Sequence, residues 1–224
     1  MPRTQRADVG GIIYHAINRA NGRLKIFKTN GDYEAFEQVL AEAKNRIGID
    51  ILAYCIMPNH WHLVLRTLAN NTLSAFMGWL TMTHTQRWHA FHNTAGTGHL
   101  YQGRFKSFPV EQDDYFIQLV RYVERNPLRA KLVKTSQDWQ WSSLWRREQG
   151  TSEQKQLLTE WPIPPSSDYL KLVNHVQPKA EVDFIRTSIH KSKPLGSDIW
   201  VHRISDELDL KSTLRYRGRP RKGS

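Results

Sequence analysis

The chain has 224 residues, 39% of them hydrophobic, enough for one substantial domain and an appendage. No apolar run approaches the roughly 18 residues of a bilayer-spanning helix, so no such helix is expected. The net charge of +11 leaves two readings, a polyanion partner such as nucleic acid or a solvated basic surface.

The elements follow in chain order. "GGIIYHAINR" (Gly10 to Arg19) predicts a first strand after a glycine pair. "NGDYEAFEQVLAEAKNRIG" (Asn30 to Gly48) predicts a helix with Ala35, Phe36, Val39, Leu40 and Ala43 as its apolar stripe, Asp32 near its start and Gly48 at its end. "IDILAYCIM" (Ile49 to Met57) is a second strand, Pro58-Asn59 a turn, and "HWHLVLR" (His60 to Arg66) a third strand paired back on the second. Asn71 to Asn93 has helical spacing despite Gly78 and its threonines. "LYQGRFKSFPV" (Leu100 to Val110) predicts a fourth strand with a bulge or close approach at Gly103. "DDYFIQLVRYVERNP" (Asp113 to Pro127) predicts a helix opened by acidic residues and ended near Pro127.

Elements in that order suit an α+β fold, a ferredoxin-like antiparallel sheet with helices packed on one face. Residues 1–145 form the main expected domain. Residues 146–224 form an extension with a Pro-rich linker at Glu160 to Asp168, a short amphipathic helix over Ser197 to Leu210, and a basic tail. The tail from Lys211 carries six lysines and arginines and no acid. The single cysteine, Cys55, rules out an internal disulfide or a multi-cysteine zinc site. The start, "MPRTQRADVGG", lacks an apolar segment behind its basic residues, so no signal peptide is expected. Together these predict a reducing, cytoplasmic setting, nucleoid-associated if the partner is DNA.

The stretch "MPNHWHLVL" (Met57 to Leu65) poses the chemical question. Side chains alternate along a strand, so His60, His62 and Val64 share one face while Trp61, Leu63 and Leu65 share the core face. The imidazoles then point together, about 7 Å apart along the strand. His-x-His is common, so spacing alone leaves either two unrelated surface histidines or a pair converging on a divalent ion. Two imidazoles without sulfur or carboxylate make a loose site, suited to Mg²⁺ or Mn²⁺ when phosphate supplies further oxygens.

The helix from Asp113 divides into a buried stripe of Phe116, Leu119, Val120 and Val123 and a polar stripe of Tyr115, Gln118, Tyr122 and Asn126. Tyr122 and Asn126 lie four residues apart, one turn, hence side by side. An amide oxygen can ligate a metal without cancelling its charge, and a phenolate can attack phosphorus to give a covalent phosphotyrosine. The alternative is that Tyr122 packs by its ring and Asn126 simply ends the helix.

"PNHWHLVL", "GHLYQGRFKS", "YFIQLVRYVERNPLRAKLV" and "WQWSS" together resemble the single-tyrosine HUH transposases, most narrowly the REP-associated tyrosine transposases, from about Gly11 to Leu144. The resemblance implies that His60 and His62 are the HUH pair, Tyr122 the nucleophile and Asn126 the polar metal ligand. Tyr115 is the rival nucleophile, but its neighbour four residues on is Leu119, which cannot bind metal. It further implies nicking and strand transfer on single-stranded DNA beside hairpins, through a 5′-phosphotyrosine and a free 3′-OH. Relaxases of this superfamily carry their tyrosine before the histidine pair, whereas here it follows.

Arg104, Lys106, Arg121, Arg125 and Arg129 are candidate backbone contacts. "RGRPRK" (Arg217 to Lys222) resembles an AT-hook core, in which Arg217, Gly218, Arg219, Pro220 and Arg221 would lie in a narrow minor groove of AT-rich duplex. A disordered tail binding any nucleic acid through counterion release is the other reading. Two further functions stay open, a domesticated hairpin-binding protein of the same fold without strand transfer, and an HUH replication nickase. Both monomer and homodimer are compatible with the sequence.

Overall fold

In a computed structural model, which describes residues 7–215, β1 (Ile13–Arg19), β2 (Ile49–Met57), β3 (His60–Thr67) and β4 (Lys106–Val110) form one antiparallel sheet in the order β2-β3-β1-β4. The β2–β3 hairpin turns at Pro58-Asn59, pairing Met57 with His60. The segment after β1 pins that turn, because Ile26 and Phe27 donate backbone N–H bonds to the Pro58 carbonyl at 3.0 and 3.1 Å.

The α+β antiparallel sheet is as expected, but helices cover both of its faces. β2 requires this, because eight of its nine residues are buried, and apolar residues in both alternations need a cover on each side. On one face α1 (Asn30–Ile47) and α2 (Thr72–Phe91) pack Phe36, Val39, Leu40, Phe76 and Leu80 against Tyr14, Ala16, Trp61, Leu63 and Leu65. A reciprocal capping box between Thr29 and Asp32 opens α1, and Gly48, at φ +75°, closes it.

On the other face α3 (Asp114–Glu124) lays Phe116, Leu119, Val120 and Val123 over Val64, Phe108 and Val110. Asp113 caps α3 by accepting the Tyr115 backbone N–H at 2.8 Å. α3 stops at Glu124, and Pro127 then lies in the first turn of α4 (Asn126–Arg129), where its missing N–H costs nothing. α5 (Ser143–Gln149), α6 (Ser152–Lys155), α7 (Tyr169–Asn174), α8 (Lys179–Lys191), α9 (Asp198–Glu207) and α10 (Lys211–Leu214) follow. Tyr169 and Val173 of α7 and Ile185 of α8 complete the core on the α3 face.

The helix bearing Tyr122 is clamped from behind. The fully buried Glu124 accepts from Ser143 Oγ at 2.6 Å and Tyr169 Oη at 2.8 Å and pairs with Arg147 at 3.2 Å. The fourth strand is shorter than Leu100 to Val110. Tyr101 still bridges Ala20, two residues out of register with the Ile17–Lys106 pair, so Gly103, at φ +72° with open space around it, lies in a bulged segment, and the continuous ladder begins at Lys106. No helix among the described residues is long and apolar enough to cross a membrane.

Candidate active site

The hairpin presents His60 and His62 on the α3 side of the sheet and buries Trp61 on the other, as strand alternation requires. The two imidazole centroids lie 5.1 Å apart with their planes 77° to each other. Nδ1 of His60 sits 2.6 Å from Oδ1 of Asn59. A carbonyl oxygen can only accept, so the His60 proton is on Nδ1 and its lone pair on Nε2. Nδ1 of His62 sits 2.9 Å from Nε2 of a third histidine, His15, which is fully buried on β1. When His62 donates from Nδ1 to His15, its Nε2 is likewise free to ligate.

Burial lowers the pKa of His60 to about 4, helped by the nearby Arg19 and Arg129 cations. Burial also holds His62 well below the ordinary imidazole range, with His15, His60 and both arginines adding to the effect. His15 is brought to about 3 by burial alone. All three rings are therefore neutral at pH 7, the form that offers a lone pair.

α3 brings Tyr122 to this pair. Its ring meets His62 edge-on, with centroids 6.1 Å apart at 83°. The chain turns through α4 and returns Arg129 over the Tyr122 ring, with the guanidinium carbon 4.1 Å from the ring centroid. Nη2 of Arg129 donates to Oδ1 of Asn126 at 2.6 Å. Nδ2 of Asn126 and Nη1 of Arg129 are buried with no hydrogen-bond partner. Two unspent donors beside neutral imidazoles and a phenol suit an oxyanion such as a phosphodiester.

The structure thus brings His60, His62 and Tyr122 together, ties Asn126 to Tyr122 through Arg129, and leaves Tyr115 apart. Tyr115 lies two turns earlier on α3, its ring 5.9 Å from that of Phe184. Among the candidate backbone contacts, Arg129 belongs to the site itself. Arg121 does not serve as a surface contact, because it is 5% exposed, bonded to the His175 carbonyl at 3.1 Å and 3.8 Å from Glu181. Arg125 is half-buried and donates to the same carbonyl at 2.9 Å, so both arginines fasten the α7–α8 connection onto α3. Arg104 and Lys106 are exposed at the β4 end. The AT-hook-like residues Arg217, Gly218, Arg219, Pro220 and Arg221 lie outside the described residues.

Among the described residues no cluster of three or more His, Cys, Asp or Glu could hold a metal. A divalent ion here would rest on two imidazole nitrogens and an amide oxygen, and the donor set fits. The Asn59 partner at Nδ1 frees Nε2 of His60, the tautomer that donates from Nδ1 to His15 frees Nε2 of His62, and the Asn126 carbonyl keeps a second lone pair beside the Arg129 bond. The sequence reading missed His15 and the inward turn of Arg129. The strand alternation that exposed the histidine pair also aligns His15, Ile17 and Arg19 on one face, but linking that face to β3 needs the β1–β3 register, Ile17 opposite His62 and Arg19 opposite His60.

An antiparallel sheet that presents two histidines to a helix-borne tyrosine defines the HUH single-tyrosine class. The family profile described as "Transposase IS200 like" matches residues 8–126, more than half of the chain. The chain belongs to this family of DNA transposases, within the single-tyrosine HUH group. A solved REP-associated tyrosine transposase bound to a REP hairpin is similar at 18% identity and TM-score 0.51, covering 75% of this chain and 94% of its own. A crystal structure of a proposed transposase from Deinococcus radiodurans R1 shares 19% identity at TM-score 0.41, over 55% of this chain and 96% of its own. No curated protein sequence matches the chain.

Proposed function

We propose that this transposase nicks and rejoins single-stranded DNA beside hairpins, with Tyr122 as nucleophile and Mg²⁺ or Mn²⁺ as cofactor. The observation that carries the reading is the edge-on placement of Tyr122 against His62, with His60 alongside and Asn126 one turn beyond. Tyr122 Oη attacks phosphorus as the bond from phosphorus to the 3′ oxygen breaks. The products are a 5′-phosphotyrosine and a free 3′-OH, with the phenolic proton passing to water and the leaving oxygen taking one up. Attack by the 3′-OH of another strand reverses the step, so one phosphodiester is exchanged for another without ATP. His60 Nε2, His62 Nε2 and Asn126 Oδ1 would hold the ion, whose charge would stabilise the pentacoordinate phosphorus. Arg129 holds the Tyr122 ring and the Asn126 carbonyl in place. The hairpin partner is supported by the similar REP-hairpin complex.

The direct test uses single-stranded hairpin oligonucleotides labelled at either end, incubated with Mn²⁺ and run on a denaturing gel. A covalent adduct carrying only the 3′-side label is expected, and chelation should abolish it. Hairpin binding with no adduct across a broad hairpin panel would leave a binding module, and an adduct carrying the 5′-side label would overturn the polarity.

The buried His15 bond leads to a second expectation. His15→Phe should keep the packing against Phe108, whose ring lies 4.9 Å away, while removing the acceptor for His62 Nδ1. Losing such a partner typically costs about 10- to 100-fold in metal affinity. A Mn²⁺ titration followed by electron paramagnetic resonance should show that loss and its partial recovery in His15→Gln, whose side-chain carbonyl can accept. Unchanged affinity in His15→Phe would remove His15 from the site.

A further inference from the structure

Beside the histidine pair, the sheet edge and the end of α8 enclose a cleft of about 320 Å³ lined by Ile17, Arg19, Gln102, Arg104, Lys106 and His190. Its floor belongs to the catalytic face. Ile17 pairs with His62 and Arg19 with His60, while Lys106 pairs with Ile17 from the outer strand. Successive strands lie about 5 Å apart, so the floor runs from one strand to two strands, roughly 10 Å, beyond the histidines. One wall comes from the C-terminal extension, through Ile189 and His190 of α8, well outside the segment that matches the family profile.

The charged side chains lining this cleft are all basic. Arg66, Arg87, Arg146 and Arg147 each hold a carboxylate, of Asp50, Glu42, Glu37 and Glu124 respectively. Arg19, Arg104 and Lys106 are exposed, none pairs with a carboxylate among the described residues, and no acid lines the cleft. Three unpaired cations beside a centre built to take a phosphodiester repel one another until an anion joins them. Apolar Ile17 and Ile189 offer surface to sugar or base, and the narrow volume suits one strand, not a duplex.

We propose that this cleft binds the backbone of the single-stranded segment that joins the hairpin to the scissile phosphate, and that α8 of the extension completes it. The proposal rests on the reading that Tyr122 cuts single-stranded DNA. It makes the extension part of the substrate site and gives Arg19, Arg104 and Lys106 phosphate contacts in line with the reacting one.

The test compares two fluorescent probes in chelator, a hairpin with a single-stranded flank and the same hairpin blunt-ended, by anisotropy over a salt series. Wild type should prefer the flanked probe. Arg104→Ala combined with Lys106→Ala should weaken that probe roughly tenfold and make the slope of log affinity against log salt shallower by about 1.4, two single-strand contacts, with the blunt hairpin unchanged. His190→Glu, on an exposed position, should weaken the same probe selectively. Equal loss on both probes, or no loss on either, overturns the cleft while leaving Tyr122 chemistry intact. Wild type that binds neither probe overturns the hairpin-cutting reading and the cleft together.

Discussion

Tyr122→Phe is expected to abolish the covalent protein–DNA adduct, a loss of at least about 10⁴-fold in the rate of its formation, while Tyr115→Phe leaves that rate within a few-fold of wild type. The phenylalanine ring keeps the edge contact with His62 and the face under Arg129, so the fold and DNA affinity should survive and only the attacking oxygen is lost. Tyr115 sits about 10 Å along the helix axis from Tyr122, seven residues at the usual rise. Its nearest ring is Phe184 and not an imidazole. Denaturing gels of both variants on one labelled hairpin decide the matter. An adduct from Tyr122→Phe with none from Tyr115→Phe would move the nucleophile. Cleavage by Tyr122→Phe without an adduct would make water the attacking group and end the strand-transfer account.

Alternation within one strand and spacing within one helix depend on the local chain alone, so the shared faces of His60 with His62 and of Tyr122 with Asn126 were legible, while their joint role was implied only by the family resemblance. What needed long-range pairing was not. His15 joins His62 across 47 residues of sequence, and nothing in "IIYHAINR" says which strand lies beside it. Pro127 reads as a stop, yet at the start of α4 it permits another turn, and that turn carries Arg129 back over Tyr122. The second helical layer was announced by "IDILAYCIM", whose two alternating sets are both apolar, a pattern for a strand covered on each side. In α8 the spacing of Val182, Ile185 and Ile189 was present but diluted by charged neighbours, so the extension read as weakly patterned. Arg121 and Arg125 looked like solvent-facing cations because nothing local predicts the carbonyl of His175 that both bind.

Acid should destabilise this protein from about pH 6.5 downward, before most carboxylates titrate. Burial holds His15 and His84 at about 3 and His60 at about 4, with His62 also well below an ordinary imidazole. Below pH 6.5 the unfolded chain takes up these protons and the folded chain does not, so stability is complete above 6.5 and is lost as pH falls toward 4. At pH 4.5 each ring with a folded value near 3 costs about 2–3 kcal/mol. His15, His60 and His84 together cost roughly 8 kcal/mol, comparable with the whole stability of a typical domain. His84 isolates the effect from the reacting centre. Trp61 Nε1 donates to Tyr101 Oη at 3.0 Å, and that hydroxyl lies 2.7 Å from His84 Nδ1, so the phenol donates onward to a ring that must stay neutral to accept. Urea unfolding at pH 7 and pH 4.5 in chelator should show the loss, and His84→Phe should reduce the difference between the two by about 2–3 kcal/mol whatever it costs at pH 7. A stability that is flat between those two values would mean that these rings take up protons in the fold as readily as in the unfolded chain, and that burial does not hold them neutral.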